Sequence, residues 1–176
     1  MDVNKGKYKC VFYKGNEYEN NNNANSVGLN FPNNAPGLYI APHSNDLVIL
    51  MNTYNVINEK VVIPNIPLNK WLNVIIRVEN DKLDVYINGT ITKRVILSGV
   101  VKQNYGSVYV CVNGGYGGYL SSLEYYDYGL GISEIEKINK KGANLKMIDK
   151  NGTEIKSSNY LSLRWFFYGM NDTYNP

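Results

Sequence analysis

Hydrophobic positions recur every second residue through residues 71–97, WLNVIIRVENDKLDVYINGTITKRVIL. Leu72, Val74, Ile76 and Val78 fall on one side of an extended chain, with Asn73, Arg77 and Glu79 mostly on the other. Beyond Asn80-Asp81, Leu83, Val85 and Ile87 alternate with Asp84, Tyr86 and Asn88. A period of two marks a strand with one buried face, because successive side chains leave a pleated strand on opposite sides. Asn88-Gly89 then separates two strand-like runs. That dipeptide suits a type I′ hairpin turn, which needs positive φ at both central residues. Three consecutive antiparallel strands are expected here.

The rest of the chain reads as short strands between turns. Residues 8–13 form a first strand, and residues 14–37 a long polar loop, either functional or an inessential insertion, of which the insertion is expected. Gly37–Ile40 and residues 47–53 flank the turn APHSND, and residues 61–63 add another strand. Pro64 and Pro67 mark an edge strand or a crossover between sheets. Residues 107–112 alternate Val108, Val110 and Val112 with Tyr109 and Cys111, and a glycine-rich turn, NGGYGG, leads into residues 119–128. One helix is expected near residues 133–141. Ser133 and Glu136 have capping-box spacing, Ile132, Ile135 and Ile138 make an apolar stripe, and Gly142 offers a stop. A turn at residues 150–152 follows, and residues 160–168, YLSLRWFFY, are apolar enough to return to the core as a strand. The expected fold is all-β: an antiparallel two-sheet β-sandwich with one short helix. With no internal repeat, residues 1–176 are expected to form a single domain.

Composition adds surface chemistry. The chain has 16 Tyr, 16 Gly and a surplus of Asn, which suit half-buried strands, contact surfaces and turns. Net charge is +3. Lys137, Lys140, Lys141, Lys146, Lys150 and Lys156 make a mild cluster without the dense basic stripe of a nucleic-acid binder, so no nucleic-acid partner is expected. Cys10 and Cys111 are expected to be two buried free thiols. No apolar stretch approaches the ~18 residues of a membrane span, and the first residues do not begin a signal peptide. Sequons at Asn88, Asn151 and Asn171 are read as chance products of an Asn-rich sequence.

Residues 69–138 carry a further pattern. Trp71 opens a strand, D-x-Y-I-N-G follows at residues 84–89, and a glycine-rich turn precedes G-Y-L-S-S-L-E-Y-Y-D-Y-G-L-x-x-x-E-I. In this the chain resembles the laminin-G-like, concanavalin A-like jelly-roll superfamily, which includes pentraxin-type and legume-lectin-type domains. The resemblance implies a jelly-roll sandwich, with residues 86–89 as a hairpin tip, residues 118–126 as a core strand and residues 133–138 as the helix after it. A narrower likeness rests on Pro36-Gly37-Leu38-Tyr39, Met51-Asn52-Thr53-Tyr54, Ile66-Pro67-Leu68-Asn69-Lys70-Trp71, Gln103-Asn104-Tyr105-Gly106 and Leu163-Arg164-Trp165-Phe166-Phe167. These look similar to the versions found in large DNA viruses of eukaryotes. Two departures stand out. An upstream strand of the type aromatic-Thr-x-Ser-x-Trp is missing, so either residues 160–168 fill that gap or the chain is a fragment of a longer protein. The helix is introduced by Gly129-Leu130-Gly131-Ile132-Ser133 in place of Ala-Leu-Ser.

Candidate chemistry is sparse. Glycosidases of this fold place two carboxylates about 5 Å apart on one strand face. The nearest stretch, Glu124-Tyr125-Tyr126-Asp127, has the wrong parity for that on a regular strand. His43, the single histidine, sits in a turn, and no G-x-S-x-G elbow accompanies it. No cofactor is expected. Calcium is the metal option, because related domains bind it through loop carboxylates; Asp46 and Asp84 are the candidates, with Asp81 and Asp127 also available. A glycan site needs an aromatic platform beside polar groups, and the candidate residues are Asn113, Tyr116 and Tyr119, with Tyr54 and His43 as neighbours. The expected function is a non-catalytic binding or assembly module. The viral likeness implies a virion-associated protein, minor capsid or surface, located in the virion or in host cytoplasm, with virion proteins or glycans as partners. The alternatives are a lectin for cell-surface or virion glycans and a degenerate glycoside hydrolase.

Overall fold

The computed structural model describes residues 6–17, 26–144, 147–148 and 154–155. The chain divides into two compact units, Met1–Ala143 and Asn144–Pro176. In the first, the strands are β1 (Lys9–Gly15), β2 (Gly37–Ile40), β3 (Leu47–Met51), β4 (Glu59–Ile63), β5 (Val74–Glu79), β6 (Lys82–Ile87), β7 (Thr90–Ile96) and β8 (Ser107–Val110), followed by helix α1 (Ile132–Lys141). In the second, β9 (Met147–Ile148) pairs antiparallel with β10 (Glu154–Ile155). Residues 150–152 and 160–168, for which a turn and a returning strand are expected, lie outside the described residues.

The first unit is an antiparallel two-sheet β-sandwich with one short helix. Its five-stranded sheet has the order β4-β3-β2-β1-β8 and its three-stranded sheet the order β5-β6-β7. Strand β3, LVILM, is buried at every position. Leu47, Ile49 and Met51 join Leu83 and Val85 of β6 in the core between the sheets, against which Leu72, Val74, Ile76 and Val78 also pack. Val48 and Leu50 point the other way, into a second cluster with Cys10, Tyr13, Leu29 and Tyr39. A strand covered on both faces has no polar side to alternate with, which is why β3 reads as a continuous apolar run. The β6–β7 turn has φ of 50° at Asn88 and 79° at Gly89, as the type I′ reading requires. Asn88 exchanges bonds with Asn73: its N–H donates to the Asn73 carbonyl, and its side-chain oxygen accepts the Asn73 N–H, each at 2.9 Å.

On the other face of the three-stranded sheet, Asp84 stands opposite Arg77 on β5 and Arg94 on β7. Arg94 donates to both its oxygens, at 2.6 and 2.9 Å, and Arg77 approaches to 3.5 Å. The Arg94 hydrogen bonds, with the charges of both arginines, hold the buried Asp84 carboxyl below its usual range against the opposing cost of burial. A group with a depressed folded pKa stabilises the fold above its unfolded value and loses that contribution as pH falls through the folded value. Asp84→Asn is therefore expected to lower the urea midpoint at pH 7, with the gap to wild type closing as pH drops below about 4. A gap that stays constant down to pH 2 would contradict this.

Four expectations are corrected. Residues 118–126 form no strand: Ser122 takes a left-handed φ of 51°, which breaks an extended ladder, and Tyr119 and Tyr125 are 73% and 81% exposed. The helix stands where expected, but its N-cap is Gly131 and not Ser133. Glu134, not Glu136, reaches back to the Gly131 N–H at 2.7 Å, and Ser133 lies inside the first turn. Of the two thiols only Cys10 is buried; Cys111, at φ 51° just past β8, is exposed. Burial pushes the Cys10 thiol up to about 12. Iodoacetamide on the native protein at pH 8 is expected to modify Cys111 well before Cys10, as peptide mapping would show; equal labelling would contradict the assignment.

The last correction concerns residues 26–36, within the loop read as an insertion. They are built into the fold. Asn30 and Asn34 are fully buried, and Asn52 is 4% exposed. The Asn34 amide donates to the Asn30 carbonyl at 2.7 Å and to the Asn58 side-chain oxygen at 2.9 Å, while its oxygen accepts the Tyr39 hydroxyl at 2.7 Å. Asn52 donates to the Pro32 carbonyl at 2.8 Å and accepts the Asn58 N–H at 3.0 Å. These bonds fix the backbone of residues 30–34, although the side-chain oxygen of Asn30 is buried without a hydrogen-bond partner.

Candidate functional site

Strand direction sorts the loops into two ends. Lys9 pairs with Ile40 and Phe12 with Val110, so the β2–β3 turn and the loop after β8 share one end of the five-stranded sheet. Lys93 of β7 donates to the Val62 carbonyl, and the Ser98 N–H donates to Glu59, so β7 runs antiparallel to β4 and the Asn88-Gly89 turn lies at that same end. Trp71, just before β5, stands beside it. Tyr54 follows β3 and sits at the opposite end, where its N–H meets the Val100 carbonyl. The expected candidates are therefore divided: His43, Asn113, Tyr116 and Tyr119 belong to one end, and Tyr54 to the other.

The loop after β8 owes its shape to consecutive left-handed residues, with φ of 55°, 86° and 55° at Asn113, Gly114 and Gly115. They turn the chain so that the Tyr116 ring packs against the core between the sheets. Its hydroxyl donates to the Tyr119 carbonyl at 2.8 Å. A Cβ on Gly118 would meet that ring at 2.6 Å, so the loop can close over Tyr116 only with glycine there. Burial raises the Tyr116 hydroxyl pKa. Tyr116 is thus a brace, and it holds Tyr119 outward. Tyr119, 73% exposed, faces Trp71, 47% exposed, with ring centroids 6.4 Å apart and planes tilted by 37°. Trp71 was legible in the sequence only as a strand opener; its pairing with a loop 48 residues later carries no sequence signal.

The charged candidates are occupied by other work. Asp84 lies between two guanidiniums, which a cation would have to displace. Asp46 accepts the Asn65 N–H at 3.0 Å and the Ser44 hydroxyl at 2.8 Å, and these bonds lower its pKa. Among the described residues no group of three His, Cys, Asp or Glu gathers as a metal site. Glu124 accepts from Tyr126 at 2.6 Å and from Lys141 at 3.0 Å, lowering its pKa. His43 is an exposed turn residue.

At the opposite end three loops meet in a cleft of about 270 Å³, lined by Asn33 and Ala35, by Asn52, and by residues 102–106, with Asn16 beside them. Sequence reading singled out each of these segments separately, but nothing in the sequence indicates that they converge.

No family model matches the chain, and no curated protein matches it. A crystal structure of an S-layer domain-containing protein (residues 221–444) from Clostridium thermocellum matches over 79% of this chain and 66% of that one, at 14% identity and a TM-score of 0.34. A likeness this distant carries no argument about function. Among the described residues no helix is long and apolar enough to cross a membrane.

Proposed function

We propose that the chain is a non-catalytic binding and assembly module, virion-associated as its resemblance to domains of large DNA viruses suggests, acting at the particle surface or as a minor capsid component. The observation that supports it is the exposed Trp71–Tyr119 pair, held by a glycine loop braced through Tyr116. Large, stiff aromatic side chains presented on a fixed loop give contact area at low entropic cost, the usual make-up of a binding hot spot. The test is quantitative proteomics of purified particles of the virus that encodes the chain. The protein is expected at a constant ratio to the major capsid protein, and its loss during purification would count against an assembly role.

A second reading, a lectin for cell-surface or virion glycans, is favoured by the same pair, because tilted aromatic faces suit the C–H face of a sugar ring. It is also favoured by the amide-lined cleft at the other end.

A further inference from the structure

We propose that the cleft formed by Asn33, Asn52, Lys102, Gln103, Asn104 and Tyr105 binds a saccharide bearing a carboxylate; this assignment rests on the lectin reading. The floor is rigid, because Asn52 belongs to the buried asparagine network. The rim is equally fixed. Thr53 bridges Val101, the Lys102 N–H donates to the Asn52 carbonyl at 2.9 Å, and Asn104 clamps both the Lys14 carbonyl and the Gly106 N–H, at 2.9 and 2.7 Å. A site whose groups are already positioned loses little ordering entropy when a ligand binds.

The free chemistry of the cleft is selective. Lys102 Nζ and the Gln103 amide have no partner among the described residues and are exposed. Tyr105 is 86% exposed and presents an uncovered ring. An amide offers a donor and an acceptor side by side, which suits vicinal hydroxyls, and the ring suits the apolar face of a pyranose. The cleft opens at strand ends and not along a sheet edge, so an extended peptide would find no backbone ladder there. Its volume lies just below the roughly 300–1,000 Å³ of drug-sized ligand sites, which fits one or two sugar residues. Among the described residues no carboxylate lines it, while Lys102 is a lining cation and Lys14, whose ammonium group donates to the Gly106 carbonyl, adds a second positive charge nearby. A ligand carboxylate would find a partner there; a neutral sugar would leave Lys102 unused.

The test is titration calorimetry of the full chain with sialyllactose and a glucuronic-acid-containing tetrasaccharide, using lactose and chitotetraose as neutral controls. At least one acidic probe is expected to bind tenfold or more tightly than the neutral ones. Lys102→Gln should weaken it at least tenfold and Tyr105→Ala at least fivefold. Both side chains are exposed, so the melting temperature should stay put, and Trp71→Ala should leave this binding unchanged. Acidic-probe binding that Lys102→Gln does not alter would overturn the site while leaving the lectin reading standing. Equal affinity for neutral and acidic probes would overturn the ligand class. Failure of every saccharide to bind would overturn both the site and the lectin reading.

Discussion

Asn34→Ala is expected to destabilise the protein by about 3 kcal/mol, on the order of a 10 °C drop in melting temperature. The side chain is fully buried and makes three hydrogen bonds, so its truncation takes the acceptor from the Tyr39 hydroxyl proton, whose oxygen still accepts the Asn30 N–H at 3.2 Å, and a donor from the half-buried Asn58 side-chain oxygen. Each buried group left unsatisfied costs roughly 1–3 kcal/mol, more than the net gain from making the bond. The Asn30 carbonyl keeps a second donor, Asn58 Nδ2 at 3.2 Å, which limits the loss. Since the Tyr39 hydroxyl donates directly to Asn34, Asn34→Ala should cost about 1 kcal/mol less in a Tyr39→Phe background. Additive effects in that double-mutant cycle, measured by urea unfolding, would contradict the network.

Ile49→Ala is expected to cost about 3–4 kcal/mol. Ile49 is 0% exposed and lies between Leu38 on β2 and Val61 on β4, facing the core that both sheets share. The deletion removes apolar surface and leaves a cavity that neighbours on two fixed strands cannot collapse into. Ile96→Ala is the matched control. Its side chain is 58% exposed, so its loss should stay within about 0.5 kcal/mol. Comparable unfolding midpoints for the two variants would contradict the placement of the core.

The sandwich was legible where the cause is local. Alternation at residues 74–87 depends on adjacent side chains alternating faces, and Asn88-Gly89 on the φ values two residues must adopt. Both appear at the expected positions. Gly142, the expected stop, takes φ 67° at the end of α1. Legibility failed where a partner lies far away. Asn30, Asn34, Asn52 and Asn58 look like turn residues, because a short amide in a single sequence signals left-handed backbone and not a bond to a residue 24 positions on. Residues 119–128 mislead in the opposite direction: their tyrosines suit a strand, yet Ser122 interrupts it. The cap was misplaced because Ser133-x-x-Glu136 and Gly131-x-x-Glu134 both fit the spacing; what separates them is the entry of the chain from Tyr128, whose hydroxyl also donates to Glu134 at 3.1 Å.

The candidate site was half legible. The glycine loop and its tyrosines could be found from residues 113–119, but sequence could not assign Tyr116 as the brace and Tyr119 as the presenter. Nor could it pair Tyr119 with Trp71, or separate Tyr54 from the rest. These assignments follow from strand direction and from one hydrogen bond.

The most direct test of the chain as a binding module is ligand capture by wild type and by a Trp71→Ala/Tyr119→Ala double variant, measured on a broad glycan array and on immobilised purified particles. Wild type is expected to bind at least one of the two surfaces. The double variant should lose at least tenfold on the particles while keeping its melting temperature, because both rings are exposed. Undiminished particle binding by the double variant, or no binding of wild type to either surface, would contradict the account.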